Sequence, residues 1–521
     1  MLTPRIEARE KNQEVLGILK ADNTPDFEAN ILAGRVSVPE KVLDIAQPKL
    51  KYLDSPFLMA DMQCAVERLV SALQKGEVIG IETDHDCDGQ TSHAVIYTAL
   101  VNIFGHPKSK IKSYIGHRMK EGYGLSDSLA QRILADVLQA KLIITADNGS
   151  TDEARIKVLK DAGIETIVTD HHAIPEEGIP KSAVAVLNPT RGDCEFPDSA
   201  IAGCMVAWLF MAATRRYMIE QDMLVKETMN ISELLDFVAV GTVADCVSMA
   251  NSVNNRAVTL YGMQKISKLS RVCWHAFKNK FQREIGSEFI GFTIGPLLNS
   301  DGRLSDAFSS VNFLLSDSIQ ESNSWVNELS KQNELRKTIQ KKITDQAMQA
   351  AYGLVADGRH SLVIYLEKGH AGVHGISASR LKDAFGRPTI LFSPKEGEPD
   401  VISGSARSID GLNLKAILDD INGIDETIFL KYGGHSGAAG MTIYKNKFED
   451  FRGLFEAEII TATKDIELGP VIYTDGEIDH QDISLATVHR IKSLEPFGRG
   501  FEYPVYHAAA KVSAKRMVGQ E

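Results

Sequence analysis

Four short apolar runs in the first half of the chain each lead into acids or histidines, and that repeat limits the possible folds more than any other feature. Val78-Ile79-Gly80-Ile81 precedes Thr83-Asp84-His85-Asp86-Cys87-Asp88-Gly89, and Leu142-Ile143-Ile144-Thr145 precedes Asp147-Asn148-Gly149. Thr166-Ile167-Val168-Thr169 precedes Asp170-His171-His172, and Phe237-Val238-Ala239-Val240 precedes Gly241-Thr242-Val243-Ala244-Asp245. Helical stretches at about 91–104, 126–139 and 151–162 separate the runs. Alternating strand and helix predicts a doubly wound, parallel α/β sheet. Acids left at the ends of such strands converge in the crevice where these sheets bind ligands.

At 521 residues the chain is too long for one ordinary core. Its organisation reads as a helical cap over 1–75, the acidic α/β domain over 76–265, a connecting region over 266–354, a second α/β domain over 355–465 and a final segment over 466–521. Within the connecting region, 316–352 reads as one helix, with Asp317 and Gln320 as a capping box. Leu335, Ile339, Ile343 and Ala347 would form its apolar stripe. Lys331, Arg336, Lys337, Lys341 and Lys342 would form the opposite face, a solvated surface in the first instance and a nucleic-acid wall in the second.

A net charge of −12 argues against wholesale coating of nucleic acid and leaves room only for a local basic channel. The longest apolar stretch, 201–213, falls short of the roughly 20 residues that cross a bilayer. The charged start carries no apolar signal core, and the 6 cysteines form no CxxC pair. A reducing cytoplasm is the expected compartment.

Hard divalent cations take carboxylate oxygens, and an imidazole shifts the preference toward Mn²⁺. Alternate residues of an extended segment point one way, so Asp84, Asp86 and Asp88 are expected to present oxygens together. Two ions held close need a shared ligand, and Asp147 is the candidate bridge; such a pair activates water and clamps an in-line phosphoryl displacement. Alone, the triple-aspartate run reads equally well as a Ca²⁺-type loop or an acidic turn. With Asp170-His171-His172 and the other strand-end aspartates it points to a two-metal phosphoesterase. One of the adjacent histidines would ligate metal while the other faces the scissile phosphate. Cys87 and Cys246 read as small packed side chains, and His93, His106, His117 and His370 as ordinary histidines. Arg118, Arg303 and Arg407 lie in turn-like or glycine-rich stretches where guanidinium forks suit phosphate oxygens. His435, between Gly433-Gly434 and Ser436-Gly437-Ala438-Ala439-Gly440, sits among more small residues than packing explains.

These motifs resemble those of the DHH phosphoesterase superfamily and, within it, the RecJ family of single-strand DNA exonucleases. The likeness runs from about residue 78 nearly to the end. It includes the segment Ile294-Gly295-Pro296 through Asn299 and Arg303, Ser403 to Ser408, Gly433-Gly434-His435 and Glu495-Pro496-Phe497-Gly498-Arg499-Gly500. It implies two α/β lobes joined by a long helix, followed by an OB-type region. It implies metal ligands at Asp84, Asp86, Asp88, Asp147, His171 and Asp245, with Asp147 bridging, and catalytic roles for His172, Asp147 and Arg303. Asn299, Arg303 and His435 would hold substrate phosphates, and Arg118, Ser405 and Arg407 a 5′ phosphate. The implied cofactors are two divalent cations, Mn²⁺ ahead of Mg²⁺. The implied activity is 5′-to-3′ hydrolysis of single-stranded DNA to 5′-mononucleotides in DNA repair or recombination. Single-stranded DNA is the implied partner, delivered by a single-strand-binding protein or helicase, with no membrane involved.

Two departures stand out. Glu82 occupies a position where many superfamily members carry histidine, so it is either a further oxygen ligand or a residue behind the ligands. The sequence after Glu495 begins an OB-type region with too few residues for a complete barrel, so that region reads as incomplete. The alternative readings are a DHH phosphatase of short oligonucleotides or cyclic-dinucleotide products, and a catalytically silent relative in a replication assembly. Intact carboxylates that repel each other without metal argue against silence.

Overall fold

The computed structural model describes residues 3–116, 123–282, 284–304 and 308–516, apart from the side chains of 301–304. Among them the strands are β1 (Arg5–Ala8), β2 (Ile79–Thr83), β3 (Ile111–Ile115), β4 (Leu142–Ala146), β5 (Glu165–Thr169) and β6 (Ala185–Leu187). There follow β7 (Leu362–Tyr365), β8 (Thr389–Lys395), β9 (Glu398–Arg407), β10 (Phe429–Gly434), β11 (Ala438–Tyr444) and β12 (Val471–Thr474). The chain forms two compact units. The smaller contains β1 and Asn333–Thr474, and the larger contains Arg9–Gln332 and the segment from Asp475 onward.

The larger unit is built on a five-stranded sheet of order β3-β2-β4-β5-β6, parallel throughout. Every residue of β2 and β4 is buried, as expected of strands covered on both faces, which read as continuous apolar runs. The register sets the strand ends level: Thr83 pairs with Ala146, Ala146 with Thr169, and Thr169 with Leu187. The ladder continues one step further, with Asp84 N–H donating to Ala146 O, Asp147 N–H to Thr169 O and Asp170 N–H to Leu187 O. Three acids therefore leave the sheet side by side at one edge.

The run Phe237–Val240 is not a strand. It lies in the helix Leu235–Ala244, whose residues 235–243 are all buried. A helix buried on every side shows no amphipathic period, and a short apolar run cannot by itself distinguish the two structures. Asp245 is thus a helix C-cap. The first 75 residues are mainly helical, yet they open with β1, which pairs in parallel with β12 more than 460 residues later. The helix expected over 126–139 spans only Asp127–Ala135, and Val137 and Leu138 beyond it are exposed.

The long helix runs from Ile319 to Ala356, 38 residues, and carries the chain from one unit to the other. Its cap is Ser318, whose Oγ accepts from Glu321 N–H, while Asp317 pairs with Lys108. Ile343 and Ala347 are buried, but Leu335 is 55% exposed and Arg336 is buried. Four-residue steps over-rotate by about 40° each on a 3.6-residue helix, so three of them carry Leu335 off the inner face and bring Arg336 onto it. Arg336 is satisfied there by Asn333 and Gln340.

In the smaller unit the sheet order is β10-β11-β9-β8-β7, with only β7 and β8 parallel. After β12 the described residues form no further strand, only bridges between Glu477 and His507 and between Gly498 and Phe501. This final segment is fastened to the larger unit by two buried arginines. Arg35 donates to Ile31 O and Glu502 O and pairs with Asp475. Arg256 donates to Ile45 O, Pro496 O and Leu494 O and lies 4.2 Å over the Phe501 ring. No described helix is long and apolar enough to cross a membrane.

Candidate metal centre

Asp84, Asp86 and Asp88 do not share one extended segment, as their alternation predicted. Asp84 continues β2, Asp86 caps the helix Cys87–Thr98 by accepting from Asp88 and Gly89 N–H, and Asp88 lies in its first turn. The Asp88 carboxylate accepts from Gly203 N–H at 2.6 Å and Cys204 N–H at 2.9 Å, at the start of the helix Gly203–Glu220. Unpaired N–H groups and the helix dipole favour an anion there. Glycine is required for this approach. A Cβ at Gly203 would lie 2.6 Å from Asp147 Oδ1, and one at Gly241 would lie 2.7 Å from Asp88 Oδ1.

Around these acids the ligand-type atoms fall into overlapping groups, each within 4.8 Å: Asp84, Asp86 and Asp147; Asp88, His171 and Asp245; and Asp147, His171 and His172. His171 Nε2 is 3.2 Å from Asp147 Oδ1, 3.7 Å from Asp245 Oδ2 and 3.8 Å from Asp88 Oδ2. Asp147 belongs to two groups, which suits a ligand shared between two ions. Its backbone is held at φ 66°, a left-handed conformation unusual outside glycine.

The electrostatics fit cations. Burial, then repulsion from neighbouring aspartates, drives Asp147 and Asp245 well above the usual carboxylate range, and Asp86 upward in the same way. Burial lowers His171, favouring the neutral imidazole that ligates metal. Asp147 Oδ1 and His171 Nε2 are buried without a hydrogen-bond partner among the described residues. Orphaned buried acceptors of this kind are costly; a divalent cation satisfies both. The donor set, five carboxylates and an imidazole, is that of a hard or borderline divalent ion.

His172 differs from its neighbour. Its Nδ1 is 2.8 Å from Asp170 Oδ1, and Asp170 also accepts the backbone N–H of Ser150, His171 and His172. Burial disfavours its charged form, but Asp170 outweighs burial and raises His172 to about 9. Asp170 itself is held below its ordinary value, its burial overcome by His172. Asn188 secures the loop by donating to His172 O at 2.8 Å and Ser150 Oγ at 2.9 Å. Glu82 lies outside the groups, fully buried beside Asn148 and pushed well above its usual range by burial. Cys87 and Cys246 are outside them too.

A residue that sequence reasoning did not single out is Tyr123, whose hydroxyl donates to Asp147 O at 3.0 Å and lies 2.9 Å from His172 Nδ1. Its only signal was its place in the turn-like stretch after Arg118. Nor was Asp170 separated from the histidines it orients. The Asn299 Oδ1 accepts from Cys87 N–H at 2.8 Å and steadies the acidic loop. Arg118 lies outside the described residues, as does the Arg303 side chain on the helix Gly295–Leu304. In the smaller unit, Arg407 and Ser405 meet over Gly375. A Cβ there would lie 2.5 Å from Arg407 Nη2 and 3.2 Å from Ser405 Oγ. His435 is exposed at the turn between β10 and β11, its N–H donating to Ala438 O.

Residues 78–242 match the DHH family, N-terminal domain; 358–461 match the DHHA1 domain; and 474–521 match the RecJ OB domain. The chain is 33% identical over 479 residues to the single-stranded-DNA-specific exonuclease RecJ of Haemophilus influenzae, covering 90% of this chain and 81% of that protein. This chain belongs to the RecJ family. A solved structure of exonuclease RecJ bound to manganese is 27% identical, with a TM-score of 0.62, covering 78% of this chain and 97% of that one. The Thermus thermophilus RecJ crystallised with Mn²⁺ gives a TM-score of 0.77 at 24% identity, over 97% of this chain and 69% of that one. At that identity the second likeness speaks to the RecJ fold alone. The acid and histidine groups, set beside the manganese-bound RecJ relative, make this a divalent-cation site.

Proposed function

We propose that this chain hydrolyses single-stranded DNA from its 5′ end, releasing 5′-mononucleotides, with two divalent cations, Mn²⁺ foremost. The observation that carries the reading is the pair of ligand groups, Asp84 with Asp86 and Asp88 with His171 and Asp245, that Asp147 adjoins through an orphaned oxygen. The substrate class is taken over from the relatives, which are named single-stranded-DNA-specific exonucleases. When bound, the ions supply charge compensation and the Lewis acidity that makes water a nucleophile near neutral pH.

The remaining work falls to the chain. The N–H groups of Gly203 and Cys204 fix Asp88, and those of Asp88 and Gly89 fix Asp86, so the ligand atoms need little rearrangement. Asp170 keeps His172 charged and aimed beside the cluster, where it can donate to an oxygen of the phosphate being cleaved. Arg303 is assigned to the same phosphate through the family likeness. Ser405, Arg407 and Arg118 would select a 5′-phosphorylated end, and His435 a second phosphate. A role in DNA repair or recombination, in the cytoplasm, with a single-strand-binding protein or helicase presenting the strand, completes the proposal.

The test is digestion of a 5′-labelled and a 3′-labelled oligonucleotide, single-stranded or in a blunt duplex, with Mn²⁺ or Mg²⁺. The expected result is immediate release of the 5′ label as a mononucleotide, stepwise shortening of the 3′-labelled strand and near-inertness of the duplex. Ready cleavage of dinucleotides beside an untouched long strand would replace this reading with the small-substrate phosphatase.

A further inference from the structure

Among the described residues, Arg499 is an exposed arginine with no hydrogen bond or ion pair from its side chain, yet its backbone is among the most firmly held in the final segment. Gly498 and Phe501 exchange two backbone hydrogen bonds of 3.0 Å around it, and Gly500 takes φ 75° to close the turn. The turn is fastened to the loop that follows Asp245: Met249 N–H donates to Arg499 O at 2.9 Å. A Cβ at Gly498 would lie 2.7 Å from Met249 Cγ, and one at Gly500 would lie 3.2 Å from Ala250 Cβ. From below, Arg256 grips Leu494 O and Pro496 O and stacks on Phe501. By contrast Arg490, nine residues earlier, is neutralised by Glu28.

We propose that Arg499 binds a phosphodiester of the substrate strand at the Asp245 corner of the metal centre. Three residues separate Asp245 from Met249, so this contact pins the Arg499 turn to the loop that leaves that corner. The Arg499 guanidinium lies within electrostatic reach of Asp245 and Cys246. A tip so tightly fixed serves no packing purpose for a side chain that projects into solvent. A planar fork beside the cations suits a phosphate oxygen approaching them. The proposal rests on the exonuclease reading, and it makes the final segment part of the substrate site through a residue remote in sequence from every metal ligand.

The experiment compares wild type with Arg499→Ala and Arg499→Lys on a 5′-phosphorylated single strand, measuring KM, kcat, the salt dependence of KM and Mn²⁺ affinity. Binding of a phosphorothioate strand is followed by fluorescence anisotropy. Arg499→Ala should raise KM and weaken binding by about tenfold, as loss of one charged hydrogen bond to a phosphate does. It should lower the salt slope by about one, leave Mn²⁺ affinity unchanged, and be partly rescued by lysine. Unchanged KM and salt slope would overturn the proposal. So would a fall in Mn²⁺ affinity with KM unmoved, which would make Arg499 a support for Asp245. If wild type neither binds nor cuts the strand, the exonuclease reading falls by itself, and KM for a dinucleotide decides on Arg499. If neither substrate is accepted, both proposals fall.

Discussion

The larger unit buries most of its candidate metal ligands, whereas the smaller unit leaves its candidate phosphate contacts within reach of solvent. Asp84, Asp88 and Asp147 are buried beside one another, held by backbone N–H groups and by the absence of side chains at Gly203 and Gly241. Ser405 and Arg407 are half-buried and His435 is exposed, on a mixed sheet whose hairpin carries glycine in place of bulk. Like charges forced together in low dielectric resist ionisation and need cations. Exposed hydrogen-bonding groups carry little such strain and can meet a flexible, heavily hydrated substrate. Under the proposed function, the contrast separates a site that makes reactivity from one that would select an end.

That contrast can be broken by substitution. The largest effect expected is from Asp147→Ala, which should abolish turnover because it removes a ligand adjoining both groups. The protein without divalent ions should become slightly more stable, since a buried like charge is gone. Turnover assays and thermal unfolding on the same sample check both halves. Gly203→Ala comes next: the new methyl collides with Asp147 and disturbs the N–H pair on Asp88, so Mn²⁺ affinity should fall by about 10- to 100-fold, read by calorimetry. Arg407→Ala should leave Mn²⁺ affinity alone and weaken use of 5′-phosphorylated ends by roughly ten- to a hundredfold, measured against the same strand with a 5′ hydroxyl. Equal losses on both ends would merge the two roles that the comparison separates.

A smaller effect concerns pH. Asp147, Asp245 and Asp86 are raised in the fold, so without ions they retain protons at pH values where unfolded carboxylates have lost them. The cost of ionising them therefore grows as pH rises from the ordinary carboxylate range, and it is relieved by protonation as pH falls. Cations compete with those protons, so the thermal stabilisation given by Mn²⁺ should be larger at pH 8 than at pH 6. Differential scanning with and without Mn²⁺ reads the gap, and a gap that widens toward low pH would contradict the assignment. Smallest is Tyr123→Phe, expected to lower kcat by about two- to tenfold through loss of one neutral hydrogen bond, with KM unchanged.

Much of the centre was legible because a parallel sheet with level strand ends turns sequence position into spatial position. Asp84, Asp147 and Asp170 follow three strands by one residue each, and the pattern of apolar run then acid was enough to group them. Asp245 was grouped correctly for the wrong reason, since its preceding apolar run is a fully buried helix. What could not be read was set by contacts distant in sequence. The backbone donors of Gly203 and Cys204 come from a helix start more than a hundred residues beyond Asp88. The pairing of β1 with β12 leaves no local mark. Arg336 was misplaced because a stripe of four-residue steps drifts around a helix, so the buried face turned through it.

The central claim is that Asp147 joins two ion sites rather than serving one. Counting Mn²⁺ bound per chain by equilibrium titration, in wild type and in Asp147→Ala, tests it most directly. The account predicts two ions on wild type and none held tightly by the variant. One ion on wild type, or one retained by Asp147→Ala with undiminished affinity, would contradict it.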